Sequence, residues 1–326
     1  MAVELRADAT GPGEAVTSRS SVPWNRIRLA AGLVYIAALT VWSIRDGVPT
    51  GRGVLALLVV LALSITVLGR GWRRILQVVT DWLPFTAVLM LYDRSRGIAD
   101  GIGMPLHLSD IVDLEKALFF GHVPTVWLQE HLYTPGQSHW YDAVMSLVYT
   151  SHFLVTPILA AVLWVVNRER WMFYVSRVVV LSFAGLVTYV LFPEAPPWMA
   201  SEQGLIGPVH RISALGWDWL GAGFAQQALE HGQEAGSNPV AAMPSLHTAI
   251  ATLAAIMAAQ MIGRRWAKLF YLYPVLMGFC LVYTGEHYVV DLIGGVVYAL
   301  AVHVGVSAFT RWWRRRSEER KRVAAA

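Results

Sequence analysis

Apolar runs alternate along this chain with short polar and basic segments. Eight runs stand out, at residues 27–44, 53–68, 75–92, 142–166, 172–192, 244–262, 269–283 and 288–309. Apolar helices of about this length cross the hydrocarbon core of a bilayer, where each backbone N–H and C=O must find its partner within the helix. The pattern therefore predicts an all-α, polytopic integral membrane bundle with about eight transmembrane helices.

Two longer segments interrupt the pattern, at residues 93–140 and 193–241. The first opens with DRSRG and continues with two amphipathic stretches, DIVDLEKALFF and TVWLQEHL. Aromatic residues on these stretches, Phe119, Phe120 and Trp127, suit helices that lie along the membrane interface. Both segments are long enough to shape a binding pocket outside the bundle.

Composition narrows the class of protein further. Apolar residues make up 56% of the chain and charged residues 15%, and the mean hydropathy is positive. That balance excludes a water-soluble domain. The net charge of +4 comes from short basic clusters between the apolar runs, so we expect no nucleic-acid partner. Cys280 is the only cysteine, which excludes an intramolecular disulfide.

The basic clusters also predict the topology. They fall at residues 26–28, 70–74, 168–170, 264–268 and 311–322. All of them lie on one side if the spans alternate in direction, and the inside-positive rule makes that side the cytoplasm. The end of the third span and the starts of the sixth and eighth spans then share the extracytoplasmic face of the cell membrane. The prediction that these three span ends lie on one face uses hydropathy and charge alone.

The start of the sixth span reads NPVAAMPSLH, from Asn238 to His247. Pro244 suits the first turn of a helix, and the free N–H groups of that turn attract anions. Ser245 adds a hydroxyl donor, and His247 is placed to give a proton to a leaving oxygen. The alternative is a helix cap with a histidine at the lipid headgroups.

The eighth span opens with GEHYVVDLIGG, which places His287 and Asp291 four residues apart on one helical face. A carboxylate bound to one ring nitrogen leaves the other nitrogen free as a nucleophile or base. An interhelical hydrogen bond or part of a metal site would use the same pair. His152 and His303 are expected to pack within spans, although His152 could border the site. Glu194 and Glu286 could be structural.

Arg94 and Arg96 follow the third span around a glycine-containing turn, on the face where the inside-positive rule disfavours arginine. Guanidinium groups offer forked donors to phosphate oxygens, so a phosphate clamp explains the placement. Contact with lipid headgroups explains it equally well.

The stretches AAMPSLH and EHYVVDLIGG together resemble the type-2 phosphatidic acid phosphatase superfamily of membrane phosphatases and phosphotransferases. Within it they are most similar to the inositolphosphotransferase branch, typified by inositol phosphorylceramide synthase. The resemblance implies a six-helix catalytic domain at 75–309, with two additional helices at 27–74. It leaves a disordered cytoplasmic N-terminus at 1–26 and a basic cytoplasmic tail at 310–326.

The resemblance also implies roles for the site residues. His287 would form a phosphohistidine, Asp291 would orient it, and His247 would protonate the leaving alcohol. Ser245 would hold phosphate oxygens together with Arg94 or Arg96, and no metal or other cofactor would be needed. A lipid-linked phosphate would be the substrate, and water or another alcohol the acceptor.

Two departures from the family pattern bear on the activity. The first motif, a lysine followed by a spaced Arg-Pro, is absent, and Cys280 and Leu281 stand where the third motif has Ser-Arg. The loss of that arginine favours the branch that moves substituted phosphates between alcohols. The alternatives are a plain lipid phosphate or polyprenyl pyrophosphate phosphatase and, from another class, a proton- or ion-coupled transporter. Oligomeric state cannot be read from the sequence.

Overall fold

The protein is described here from a computed structural model, which covers residues 22–46, 52–99, 104–236, 238–262 and 265–325. Its helices are α1 (Trp24–Asp46), α2 (Arg52–Thr66), α3 (Trp72–Ala99), α4 (Ser109–Leu118), α5 (Pro124–Leu132), α6 (Trp140–Val166), α7 (Arg168–Leu191), α8 (Pro197–Glu202), α9 (Gly216–Trp219), α10 (Gly223–Gly236), α11 (Leu246–Met261), α12 (Ala267–Phe270), α13 (Leu272–Tyr283) and α14 (Val289–Ala324). The covered ranges contain no β-strand, which confirms the predicted all-α class. Most of residues 1–26, predicted to be disordered, lie outside these ranges.

Each predicted span corresponds to helix in the structure. Within the ranges that the structure covers, four helical segments are long and apolar enough to cross a membrane: Trp72–Tyr92, Trp140–Val166, Arg168–Leu191 and Val289–Ala324. Three shorter apolar segments accompany them: Leu57–Thr66, Leu246–Met261 and Ala267–Tyr283. The chain is therefore a multi-pass membrane protein with a helical-bundle architecture, as predicted.

Two boundaries differ from the sequence prediction. The turn expected around Arg94 and Arg96 is helical, because α3 continues through Gly97 to Ala99. The eighth span was predicted to end at residue 309, but α14 runs on to Ala324 and carries the basic tail. Arginine and glutamate favour helix, so nothing in the tail sequence stops α14 where its apolar character ends.

Helix α11 lies at the centre of the bundle, where it packs against α6, α7, α13 and α14. The contact with α14 is close enough to require a glycine. A Cβ atom at Gly295 would lie only 2.4 Å from the carbonyl oxygen of Ser245. The two helices therefore approach each other backbone to backbone near their first turns.

The segment between α7 and α11 folds over the end of the bundle where α11 and α14 begin. Gly216, at the start of α9, docks against α6, where its N–H donates to Oγ of Ser146 over 2.9 Å. A Cβ atom at Gly216 would lie 2.0 Å from the backbone oxygen of Asp142, so only glycine fits. The long segment is thus a packed cover over this end.

The N-terminal pair α1 and α2 is attached differently. Most side chains of α1 are exposed or half-buried. Among the described residues, two polar contacts join it to α2 and the residues after it. Nε of Arg28 donates to the Leu68 carbonyl over 2.9 Å, and the Tyr35 hydroxyl donates to the Leu58 carbonyl over 3.1 Å. Helix α2 contributes Leu63 to the main buried cluster.

Candidate active site

The first turns of α11 and α14 meet and form the site. The backbone N–H of Ser245 donates to the backbone oxygen of Asp291 over 3.0 Å, which joins the two turns directly. The Tyr189 hydroxyl at the end of α7 donates to the Pro244 carbonyl over 2.8 Å. The structure therefore brings the PSLH and EHYVVD stretches together, as the topology argument predicted.

His287 and Asp291 form the expected pair. Nδ1 of His287 lies 3.1 Å from Oδ2 of Asp291, and both side chains are buried. The same Oδ2 accepts the backbone N–H of Tyr288 over 3.0 Å, so Asp291 also caps the helix on which it stands. With the proton of the imidazole on Nδ1, the lone pair is on Nε2, which leaves that nitrogen available as a nucleophile.

His247 lies beside this pair, in the first turn of α11. Its ring centroid is 5.8 Å from that of His287, with the rings at 64° to each other. On its other side it stacks on Tyr149, with centroids 5.2 Å apart, and meets His152 at 4.0 Å. His152 therefore does border the site, whereas His303 packs near Phe173, far along α14.

Ser245 is buried at the start of α11, whereas Arg94 and Arg96 belong to α3. Ser245 is fully buried and caps α11, since its Oγ accepts the N–H of Thr248 over 3.4 Å. Arg94 is exposed, and in the described part of the chain no hydrogen bond or ion pair joins it to the site. The side chain of Arg96 lies outside the described side chains. The physical reason for the position of Arg94 is that α3 stays helical and does not turn toward α11.

An arginine that the sequence reading did not select lies close to the site instead. Arg211 forms a two-pronged ion pair with Glu286, with Nε–Oε1 at 2.9 Å and Nη2–Oε2 at 3.0 Å. Burial alone would lower the pKa of the Arg211 guanidinium, but the pair with Glu286 reverses this and raises the pKa. The sequence does contain a hint of this residue. Arg211 lies in a segment predicted to be extracytoplasmic, where the inside-positive rule disfavours arginine, as it does at Arg94.

Glu286 also accepts hydrogen bonds from two other side chains. Its Oε1 accepts the Ser213 hydroxyl over 2.7 Å and Nε2 of Gln233 over 3.3 Å. Gln233 also donates to the Tyr149 hydroxyl over 3.1 Å, and the Tyr149 ring stacks on His247. A single polar network thus connects the residue before His287 with the support of His247.

Glu115 is a second residue that the sequence reading missed. This fully buried side chain of α4 accepts the N–H of Val289 over 2.9 Å and that of Val290 over 3.3 Å. Those are the first two amides of α14, which have no partner within the helix. Burial raises the pKa of the Glu115 carboxyl, although the two amides act in the opposite direction. The helix that follows His287 is therefore anchored to α4.

In the described part of the chain, no three His, Cys, Asp or Glu side chains are grouped as metal ligands. The site consists instead of two histidines, a carboxylate, an arginine and the free amides of one helix end. That set can supply a nitrogen nucleophile, a proton donor and positive charge for an anion.

Comparison with known proteins connects this geometry to a family. The model of the PAP2 superfamily matches residues 109–305, more than half of the chain. The phosphoinositol dihydroceramide synthase of Bacteroides thetaiotaomicron is 27% identical over 232 residues, which are 67% of this chain and 73% of that protein. The inositol phosphorylceramide synthase catalytic subunit aur1 of Schizosaccharomyces pombe is 30% identical over 135 residues, 38% of this chain and 30% of that protein.

No solved structure gave a significant match. The names of both relatives fall in the branch that AAMPSLH and EHYVVDLIGG resemble, so the predicted resemblance is confirmed.

Proposed function

Because the chain belongs to the PAP2 superfamily, whose members are phosphotransferases and phosphoric-ester hydrolases, we propose that it transfers a phosphate-linked group from a lipid through a phosphohistidine at His287. The observation that carries the proposal is the buried His287–Asp291 pair at 3.1 Å, with the ring of His247 5.8 Å away. A histidine oriented by a carboxylate beside a second histidine is the arrangement that a two-step displacement requires.

In the first step, the Nε2 lone pair of His287 attacks phosphorus and the bond from phosphorus to the leaving alcohol oxygen breaks. His247, protonated, gives its proton to that oxygen. The positive charge that develops on His287 is stabilised by Asp291, which accepts the Nδ1 proton as a hydrogen bond and does not remove it.

In the second step, an acceptor hydroxyl attacks the phosphohistidine. Neutral His247 takes the hydroxyl proton as the new P–O bond forms, and the P–N bond breaks and restores His287. An alcohol acceptor gives transfer and water gives hydrolysis. One site therefore supports both reactions, and access of the acceptor decides between them.

Positive charge stabilises the phosphate oxygens during both steps. The positive end of the α11 dipole and the Ser245 hydroxyl in its first turn would attract an anion at that helix end. Arg211, held by Glu286 next to His287, would supply a guanidinium. Arg94 and Arg96 stay predictions as phosphate ligands. This donor set supports a mechanism without a metal.

An apolar cavity supports a lipid substrate. It holds about 580 Å³ beside the hairpin of α13 and α14 that carries His287, and its lining includes Phe119, Trp127, Phe279, Val282, Val289 and Leu292. Val289 and Leu292 begin the same helix as Asp291. A hydrocarbon chain in this cavity would leave the attached phosphate near the first turn of α14.

The names of the relatives suggest the headgroup. We propose an inositol phospholipid as donor and a long-chain lipid alcohol of the ceramide type as acceptor. Hydrolysis of a simple lipid phosphate or a polyprenyl pyrophosphate is the second candidate. The site would open at the extracytoplasmic face of the cell membrane, with 75–309 as the catalytic domain, since the basic tail of α14 lies at the opposite end of that helix from His287.

The test uses purified full-length protein with a chelator, radiolabelled phosphatidylinositol and a panel of lipid alcohols, with His287→Ala as the matched control. A new inositol phospholipid that requires the acceptor and vanishes in His287→Ala would support transfer. Release of water-soluble phosphate or inositol phosphate would point to hydrolysis. Transfer that continues in His287→Ala would overturn the mechanism. Acid quenching without acceptor should trap an acid-labile phosphoprotein in the wild type alone.

A further inference from the structure

Glu194 is a buried carboxyl group to which the proposed reaction assigns no role. It follows α7 and is fully buried. Its backbone N–H donates to the Val240 carbonyl over 2.8 Å, and the N–H of Ala195 donates to the His107 carbonyl over 3.1 Å. Because neighbouring segments hold this stretch from both sides, the side chain cannot turn out to solvent.

The side chain meets acids rather than bases. It interacts electrostatically with Asp291 and Tyr288 at the start of α14, and with Glu115 and Asp110 of α4. His107, whose backbone carbonyl accepts the Ala195 N–H, has its Nδ1 2.5 Å from Oδ2 of Asp110. Among the described residues, no donor group reaches either carboxyl oxygen of Glu194 or Oδ1 of Asp291.

A second negative charge in this position would be costly, since the side chain is fully buried and interacts with other acids. Burial raises the pKa of the Glu194 carboxyl well above its usual range, and the adjacent Asp291 raises it further. The raised pKa favours the protonated, neutral form of Glu194. A protonated carboxyl carries one O–H donor, and Asp291 is within hydrogen-bonding reach of it.

We propose that Glu194 is a positioning residue: its neutral carboxyl donates a hydrogen bond to Oδ1 of Asp291 and so keeps Oδ2 directed at Nδ1 of His287. The inference rests on the proposed function in that His287 must present Nε2 to the phosphate. Asp291 is then held at both oxygens, by Glu194 at Oδ1 and by His287 and the Tyr288 amide at Oδ2.

The sign of the pH effect follows from the raised pKa. Below that pKa the proton is present, the hydrogen bond forms and the pair is aligned. As the pH rises through it, Glu194 loses its proton, and a donor is replaced by a repelling charge beside Asp291. Turnover should therefore fall on the alkaline side. Glu194→Gln keeps a donor that does not ionise, so this alkaline loss should disappear.

The experiment compares wild type with Glu194→Gln and Glu194→Met, two substitutions of similar volume of which only the first retains a donor. We expect kcat of the Gln variant to stay within about threefold of wild type, and kcat of the Met variant to fall about 10- to 100-fold with little change in KM. Equal activity of the two variants, or an unchanged alkaline limb in Glu194→Gln, would overturn the proposal.

Two spectroscopic measurements make the test independent of turnover. Infrared spectra at neutral pH should show a protonated carboxyl band that Glu194→Gln removes, and a band that persists in this variant contradicts a neutral Glu194. In ¹⁵N-histidine-labelled protein, the Nδ1–H signal assigned through His287→Ala should persist in Glu194→Gln and shift in Glu194→Met. If the wild type transfers none of the lipids, the proposed function fails, and these signals still decide the role of Glu194.

Discussion

The site end of the bundle and the N-terminal helix pair α1–α2 differ in how their polar groups are used. At the site end, Ser245, Asp291 and His287 are buried and linked by hydrogen bonds of 3.0–3.1 Å. Helix α1 has largely exposed or half-buried side chains, and among the described residues Arg28 and Tyr35 donate to its neighbours.

The difference shows which part of this fold must hold its side chains in exact positions. A nucleophile must be held within a fraction of an ångström, so the helices that carry it approach backbone to backbone, and hydrogen bonds fix the Ser245 amide and Oδ2 of Asp291. A helix that only adds apolar surface to a bundle tolerates looser attachment. Substitutions of matched chemistry in the two regions should therefore have very different effects.

The largest effect is expected for the site pair itself. His287→Ala should lower the transfer rate by about 10³-fold or more, because the residue that bonds to phosphorus is removed. Asp291→Asn should also be severe, since an amide favours the wrong tautomer of His287. Single-turnover assays would measure both, and a variant within tenfold of wild type would contradict the assigned roles.

The next effect tests close packing. Gly295→Ala places a methyl group 2.4 Å from the Ser245 carbonyl, so α11 and α14 must move apart. Such overpacking costs about 1–3 kcal/mol, and here it also shifts His247 relative to His287. Gly305→Ala is the control on the same helix, because nothing lies within 4 Å of a Cβ atom there. Thermal unfolding and transfer rates should both fall for the first variant and stay unchanged for the second.

A smaller effect distinguishes the two candidate phosphate cations. Arg211→Lys keeps the charge but loses the fork that binds Glu286, and we expect kcat/KM to fall on the order of tenfold. Arg94→Lys should change it less than about twofold, since Arg94 is exposed and lies outside the network. The reverse ranking in a steady-state assay would restore Arg94 as the phosphate ligand.

The smallest effect compares two tyrosine hydroxyls that each donate to a backbone carbonyl. Tyr189→Phe removes the tie to Pro244 at the start of α11, and Tyr35→Phe removes the tie to Leu58. Each loss should cost about 1 kcal/mol of stability. Only Tyr189→Phe should also lower the transfer rate, by a few-fold, because its partner positions the first turn of α11. Equal kinetics for both variants would contradict the contrast between the two regions.

Much of the site was predictable because its signals are local. The spacing of four between His287 and Asp291 fixes a shared helical face, and apolar runs with basic clusters place the starts of α11 and α14 at one end. Both predictions agree with the geometry. The roles of these residues in catalysis stay predictions until the variants are measured.

The parts that were not predicted depend on pairs far apart in the chain. Glu286 finds Arg211 across 75 residues, and Glu115 finds Val289 across 174. No periodicity predicts such pairings, since Glu286, Arg211 and Glu115 each look like solvated charges when taken alone. The turn predicted at Arg94 is absent from the described helix α3 for a different reason: Gly97 suggests a break, yet a single glycine costs a helix only about 1 kcal/mol.

The carboxylate of Glu115 on the first amides of α14 has a consequence for how the enzyme sits in a bilayer. The same short helix exposes Leu114 and Leu118, and Phe120 follows it with 95% of its surface exposed. If these side chains lie among the lipid headgroups, α4 sets the depth of the bundle in the membrane. Helix α4 would then set the height of His287 relative to the plane of the lipid phosphate groups. The membrane surface itself would help to align the reactants.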